Sequence, residues 1–272
     1  MTFSGFYRTG NQMFLVASTL GIARSYPDGV WTVCVDPRLP IRSVFPAVAE
    51  LQMCDPKTIR LMKKSFVFRE AKAGFYYPET RNFSLHRHTV IQGYIQSWKY
   101  FQNISDEIRR LFRFSSAVDS RAAFLMREAV EKHFRCGNCS NDVATVGVHV
   151  RRGDRRDVSA DVTFLTQAME HHVARYNRRS VARHVFVVCS DDLKWCRENV
   201  GDRDDVVFIE GGDKYVDLAI LSMCRDSVIT AGSYGWWSAW LANGHTVAYM
   251  GWTRDYTMYS KDDYIPPSWI IL

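Results

Sequence analysis

Val146-Gly147-Val148-His149-Val150-Arg151-Arg152-Gly153-Asp154 is the stretch on which the reading of this chain turns. Val146, Val148 and Val150 alternate with Gly147 and His149, the period-two pattern of a β-branched strand, which must stop at the arginines, glycine and aspartate that follow. In an open α/β sheet ligands sit outside the carboxyl ends of the strands, which would put both guanidinium groups at a crevice. Guanidinium forks match phosphate oxygens, stay charged at any working pH and stabilise charge developing on a diphosphate leaving group. The plainer alternative is a surface pair of arginines bridged to Asp154, an arrangement of little energetic value.

Downstream the pattern is regular. A helix near Asp161–Tyr176 precedes a strand at His184–Cys189, and a helix near Asp192–Asn199 precedes a strand at Val206–Ile209. A helix at Val216–Cys224, a strand at Ser227–Thr230, a helix at Tyr234–Asn243 and a strand at Thr246–Met250 complete the half. Five strands alternating with helices predict a parallel, Rossmann-like sheet. Upstream, residues 10–26 predict a helix carrying Met13, Phe14, Val16, Ala17, Leu20 and Ile22, followed by a strand from Val30 to Val35. Prolines 37, 40, 46, 56 and 78 break the next region into short pieces, with strands expected near Ser65–Arg69 and Val90–Ile95. Residues 103–134 are helical in pattern, and the loop Cys136–Asn141 is the expected boundary between domains 1–140 and 141–272.

Three further stretches could carry chemistry. Ser190-Asp191-Asp192 follows the apolar run Val185–Val188, so its carboxylates could accept from a ribose hydroxyl or from guanine donors, or could simply cap a helix. Thr230-Ala231-Gly232-Ser233-Tyr234-Gly235-Trp236-Trp237 is a small-residue turn into a helix, exposing amides and the Ser233 hydroxyl to an anion. Its tryptophans, with Trp240, could stack on a sugar, though core packing is the safer reading for at least two of them. Gly10-Asn11-Gln12 opens the first helix, where Asn11 could be a plain N-cap.

The 272 residues are 47% hydrophobic and 14% aromatic, enough for a sizeable core. The net charge of +6, from 35 basic and 29 acidic residues, is spread through the chain and favours anionic ligands only weakly. The basic clusters lack the interleaved aromatics of a single-strand binder, and no zinc-finger or basic-zipper spacing occurs, so nucleic acid is not an expected partner. The apolar run Met13–Ala23 is about half of what a membrane helix needs, and no basic leader with a small-residue cleavage site precedes it. Sequons at Asn82, Asn103 and Asn138 permit a secretory location. Of the seven cysteines, Cys34 and Cys189 are expected as small core hydrophobes. Cys136 and Cys139 suit a local disulfide or free thiols better than zinc, since no second ligand pair follows.

Taken together, Gly-Asn-Gln-Met-Phe at 10–14, Gly-Tyr-Ile-Gln-Ser-Trp-Lys-Tyr-Phe at 93–101, His-Val-Arg-Arg-Gly-Asp at 149–154, Ser-Asp-Asp at 190–192 and Gly-Trp-Trp-Ser-Ala-Trp-Leu at 235–241 resemble the α-1,2-fucosyltransferase family. The resemblance implies an α/β GT-B fold, two Rossmann-like domains facing a cleft, with an acceptor-side domain (1–140) and a GDP-fucose-binding domain (141–272). It implies metal-independent transfer of fucose, with inversion, to the 2-hydroxyl of a terminal galactose on a glycan, with GDP-fucose as co-substrate and no cofactor. By motif, His149 and Asp191 would contact guanine, Arg151 would hold the β-phosphate, and Arg152 and Asp154 would fix the presenting loop. Ser233 and Tyr234 would line the phosphate side, and Asn11 would approach the diphosphate, so Arg151, Asp154 and Asn11 are the expected catalytic residues. The general base is not assigned. Animal members are type II Golgi proteins, so a Golgi location is implied, with membrane association only through a segment absent from this chain. A catalytically silent lectin-like or scaffold protein is the alternative. Here Tyr7-Arg8-Thr9 replaces the family's glycine-containing turn and Ala231-Gly232-Ser233 its serine-rich one, and the first change could narrow the acceptor cleft.

Overall fold

The structure is a computed structural model, described for residues 1–4, 8–27, 31–61, 65–83, 88–137, 143–153, 160–181, 183–251 and 259–272. Its chain divides into two compact units, Met1–Ser115 with Asp255–Pro266, and Ser116–Arg254 with Pro267–Leu272.

In the first unit β1 (Thr2–Ser4), β2 (Phe66–Arg69) and β3 (Thr89–Gln92) form a parallel sheet in the order β1-β3-β2. Helix α1 (Thr9–Arg24) is buried on every side from Thr9 to Ala23, Asn11 excepted. An all-round apolar helix belongs in a core, and Phe14 packs there against Phe101 and Tyr264. The prolines that divide the next region start structure as well as break it: Pro46 and Pro56 open α2 (Pro46–Glu50) and α3 (Pro56–Leu61), where a missing N–H costs nothing. Helices α4 (Ser105–Leu111) and, near the C-terminus, α10 (Lys261–Tyr264) complete the unit.

The strand expected at Val30–Val35 does not form over the described residues 31–35; Val35 makes one isolated bridge to Met53. Cys34, expected as a free core residue, is instead disulfide-bonded to Cys54 with Cα atoms 4.9 Å apart. The strand expected to reach Ile95 ends at Gln92, because Gly93 turns the chain with φ +135°.

The second unit opens with α5 (Ser116–Phe134) and continues through β4 (Ala144–Val150), α6 (Val162–Arg178), β5 (His184–Ser190), α7 (Leu193–Val200) and β6 (Val206–Phe208). It ends with α8 (Lys214–Met223), β7 (Asp226–Ile229), α9 (Ser233–Ala242), β8 (Thr246–Ala248) and β9 (Ile270–Ile271). The strands are parallel in the order β6-β5-β4-β7-β8-β9. The sixth, β9, is only two residues long, too short for a sequence pattern. Val146, Val148 and Val150 join Phe164, Leu165 and Met169 of α6 in the core. Gly147 and His149 take the opposite face, against α8 and α9. The units divide between Ser115 and Ser116 and not at the loop 136–141, because α5 packs on α8 and β6. Part of that loop, with Asn138 and Cys139, lies outside the described residues; Cys136 is disulfide-bonded.

Candidate active site

Strands β4 and β7 are spatial neighbours, yet the chain leaves β4 toward β5 and β6 and returns to β7 on the other side. Such a switch in direction opens a crevice at the carboxyl ends. There the Arg151 N–H donates to the Thr230 hydroxyl at 2.9 Å, tying the β4 exit to the β7 exit. Gly232, the N-cap of α9, has φ +95°, and a Cβ on it would lie 3.1 Å from Arg151 Nη1. The guanidinium therefore rests on the main chain where the first-turn amides of α9 lack helical partners, and Ser233 is the first residue of that turn. A fixed cation and a helix N-terminus thus meet at one point.

Asp191 holds the Arg151–Gly153 loop. Its Oδ1 accepts from the Arg152 N–H at 2.8 Å and its Oδ2 from the Gly153 N–H at 3.1 Å. The structure thus gives Asp191 the loop-fixing part that the resemblance assigns to Arg152 and Asp154. Asp192 is the N-cap of α7, accepting from the Trp195 N–H at 3.1 Å, so the capping reading holds for it. Arg152 stacks its guanidinium 3.8 Å from the Trp195 ring centre, a partner that nothing in the local sequence announces. Asp154 lies outside the described residues.

His149 is buried beneath α9, where Gly235 is small enough to let its Nδ1 approach the helix. Burial pulls the imidazole down to about 4, more than Asp191 raises it, so the ring is neutral at working pH. Tyr234 lies against it with ring centres 5.1 Å apart and donates its hydroxyl to the Lys214 carbonyl. Beside them, in the first turn of α8, stands Asp217, which sequence reading missed because an acid there is ordinary. Its carboxylate lies against Gly212, and burial, then Asp213, push it up to about 6. Trp236, Trp237 and Trp240 pack on one another, with Trp269 against Trp236, in the core.

In the first unit Asn11 is not a cap. The N-cap of α1 is Arg8, whose side chain does not cap the helix, and Asn11 Oδ1 accepts from Gln96 Nε2 at 2.8 Å. Tyr259 donates in turn to Gln96 Oε1 at 3.2 Å. The rest of the 93–101 motif receives α10: Ser97 Oγ donates to the Asp263 carbonyl at 2.6 Å, and Lys99 pairs with the Asp263 carboxylate at 2.7 Å. Among the described residues no group of three or more His, Cys, Asp or Glu is placed to hold a metal ion. No described helix is long and apolar enough to cross a membrane.

Two α/β units with parallel sheets, one carrying a cation and a helix N-terminus at its switch point, place the chain in the GT-B fold class. The chain belongs to glycosyl transferase family 11, the α-1,2-fucosyltransferase family, whose model matches residues 51–272. It is 34% identical over 65% of its length to the mouse (Mus musculus) galactoside 2-alpha-L-fucosyltransferase Sec1, covering 50% of that protein. It is 36% identical over 60% of its length to the pig (Sus scrofa) galactoside alpha-(1,2)-fucosyltransferase 2, covering 48% of it. The chain thus spans about half the length of the curated relatives it matches. Among solved structures, NodZ alpha-1,6-fucosyltransferase soaked with GDP-fucose shares the fold with TM-score 0.50 at 16% identity, over 88% of this chain and 91% of that one.

Proposed function

We propose that the protein transfers L-fucose from GDP-fucose to the 2-hydroxyl of a terminal galactose, with inversion and without a metal. The observation that carries this reading is the Arg151 guanidinium lying on Gly232 at the N-terminus of α9. As the sugar C1–oxygen bond breaks, negative charge gathers on the departing β-phosphate. Arg151 and the α9 amides supply the fixed positive field that a metal ion supplies elsewhere. The galactose oxygen attacks the opposite face of the oxocarbenium-like fucosyl group, and its proton leaves to water or to a basic side chain.

The donor residues divide the work. Ser233 and Tyr234 line the phosphate side, and Asp191 and Arg152 hold the loop that presents Arg151. His149, a neutral hydrogen-bonding group, faces guanine. Each Asp191 oxygen accepts one loop amide and keeps a second lone pair, so Asp191 can still meet the guanine N–H edge, with the buried Asp217 as a second carboxylate at the same end of the sheet. Asp154 and Asn11 keep the catalytic parts implied by motif. A secretory location, the Golgi by family, fits the Cys34–Cys54 disulfide and the exposure of the sequon residues Asn82 and Asn103.

The test is calorimetric titration of GDP and GDP-fucose with EDTA present, followed by incubation with a β-galactoside and NMR assignment of the product linkage. GDP binding and an α-1,2 product are expected; a folded chain that binds no GDP would overturn the reading in favour of a silent scaffold.

A further inference from the structure

The carboxyl end of β2 carries a carboxylate that the proposed fucosyl transfer leaves unused. Glu70 directs Oε2 into the turn after β3, accepting from the Tyr94 N–H at 2.6 Å and the Ile95 N–H at 3.0 Å. The Gln96 N–H bonds the same carboxylate. The turn is shaped for this guest. Gly93 has φ +135°, and a Cβ there would lie 2.5 Å from the Cβ of Glu70. Ile95, β-branched and fully buried, holds φ +48°, a conformation that persists only when its surroundings impose it. Successive amides converging in this way form an anion nest. The Ile95 carbonyl is held from the other side by the Ser18 hydroxyl at 2.8 Å.

The next residue leads out of the nest. Gln96 bonds Asn11 through Nε2 and accepts from Tyr259 through Oε1, so the orientation of the turn sets the orientation of the Asn11 carboxamide. We infer that Glu70 is a positioning residue: seated in the 93–96 nest, its carboxylate fixes the turn and, through Gln96, places Asn11 at the start of α1. The catalytic consequence rests on the proposed fucosyl transfer, whereas the linkage from Glu70 to Asn11 does not.

Glu70 Oε1 is buried with no hydrogen-bond partner among the described residues, and burial outweighs the three amides, pushing the carboxyl up to about 7. Among the described residues the Tyr100 phenol, on the segment after β3, lies close enough to feel the Glu70 charge, and it is itself raised chiefly by burial, with Glu70, Tyr76 and Tyr77 adding to the effect. The clamp should therefore weaken as the medium falls below neutrality, when the carboxylate becomes a poorer acceptor for three amides.

The experiment is an amide NMR titration of the full chain between about pH 5.5 and about pH 8.5. The Tyr94 and Ile95 main-chain amides and the Gln96 and Asn11 carboxamides should shift together with a common midpoint near the value for Glu70, and the joint shift should vanish in Glu70→Gln. Main-chain amides that titrate while the Asn11 carboxamide stays still would overturn the positioning role. No titration at any of these groups would overturn the nest itself. In transfer assays Glu70→Gln should lower kcat about tenfold with GDP affinity unchanged, and add little to Asn11→Ala, because the two act through one group. Additive losses in that pair count against the inference. A wild-type chain inactive in transfer would defeat the proposed function, while the titration would still decide the linkage.

Discussion

The main-chain N–H of Arg151 donates to the Thr230 hydroxyl at 2.9 Å, joining the exits of β4 and β7. The two strand tips are thereby bound together, and the guanidinium that follows β4 is carried onto the main chain of Gly232, just after β7.

Arg151→Ala should lower GDP affinity about 10- to 100-fold, since charge-assisted hydrogen bonds contribute about 1.5–3 kcal/mol. Arg151→Lys should recover part of the loss, a point charge lacking the planar fork. Calorimetry on variants of normal melting temperature decides it, and unchanged affinity in Arg151→Ala would remove the residue from the donor site.

Gly232→Ala should be worse than its size suggests. The position needs φ +95°, and the added methyl carbon would stand 3.1 Å from Arg151 Nη1. A stability cost of about 1–2 kcal/mol is expected from the backbone alone, with GDP affinity down about tenfold as the guanidinium is displaced. Thermal melting beside calorimetry separates the two effects; wild-type values in both would show that the contact is dispensable.

Asp191→Asn keeps the shape but replaces one accepting oxygen by a donor, so either the Arg152 or the Gly153 N–H loses its partner. The loop should loosen, raising KM for GDP-fucose while a truncated acceptor keeps its own KM. If only kcat changed, the aspartate would be acting on the reaction and not on the loop.

His172 is fully buried, its Nε2 within 3.3 Å of the Ser227 carbonyl, and burial lowers its pKa from 6.5 to about 4. A base whose folded pKa is depressed contributes stability above the unfolded value of 6.5 and loses it as pH falls toward 4. His149 behaves alike. Urea unfolding at neutral pH and at about pH 5 should differ by about 1–2 kcal/mol per histidine. His172→Gln should shrink that difference, and an unchanged slope would refute the assignment.

Cys54→Ser opens a disulfide whose cysteines are 20 positions apart, and should cost about 3 kcal/mol by loop-closure entropy. Denaturation with and without reductant tests this: the variant should lose the share of reductant sensitivity due to Cys34–Cys54 and keep only that of the Cys136 disulfide, and sensitivity equal to wild type would refute the figure.

Local pattern was enough for five of the six strands of the second unit's sheet, because alternating valines, caps such as Asp161 and Asp192, and strand-helix spacing are short-range signals. The charged strand tip at Arg151 and Arg152 was legible for the same reason. Folding in three dimensions decided what each polar group does there. Asp191 and Asp192 are adjacent and chemically alike, yet one clamps a loop while the other caps a helix, since only one stands opposite the β4 exit. Asp217 and Glu70 are ordinary acids in sequence, and their raised pKa values arise mainly from burial in the packed chain. The boundary at Ser115, the Cys34–Cys54 bond and the edge strand β9 escaped the pattern because each depends on which distant surface a segment buries against. Periodicity specifies which face of an element is apolar, but partners, protonation and the meeting of Arg151 with Gly232 are properties of the packed chain.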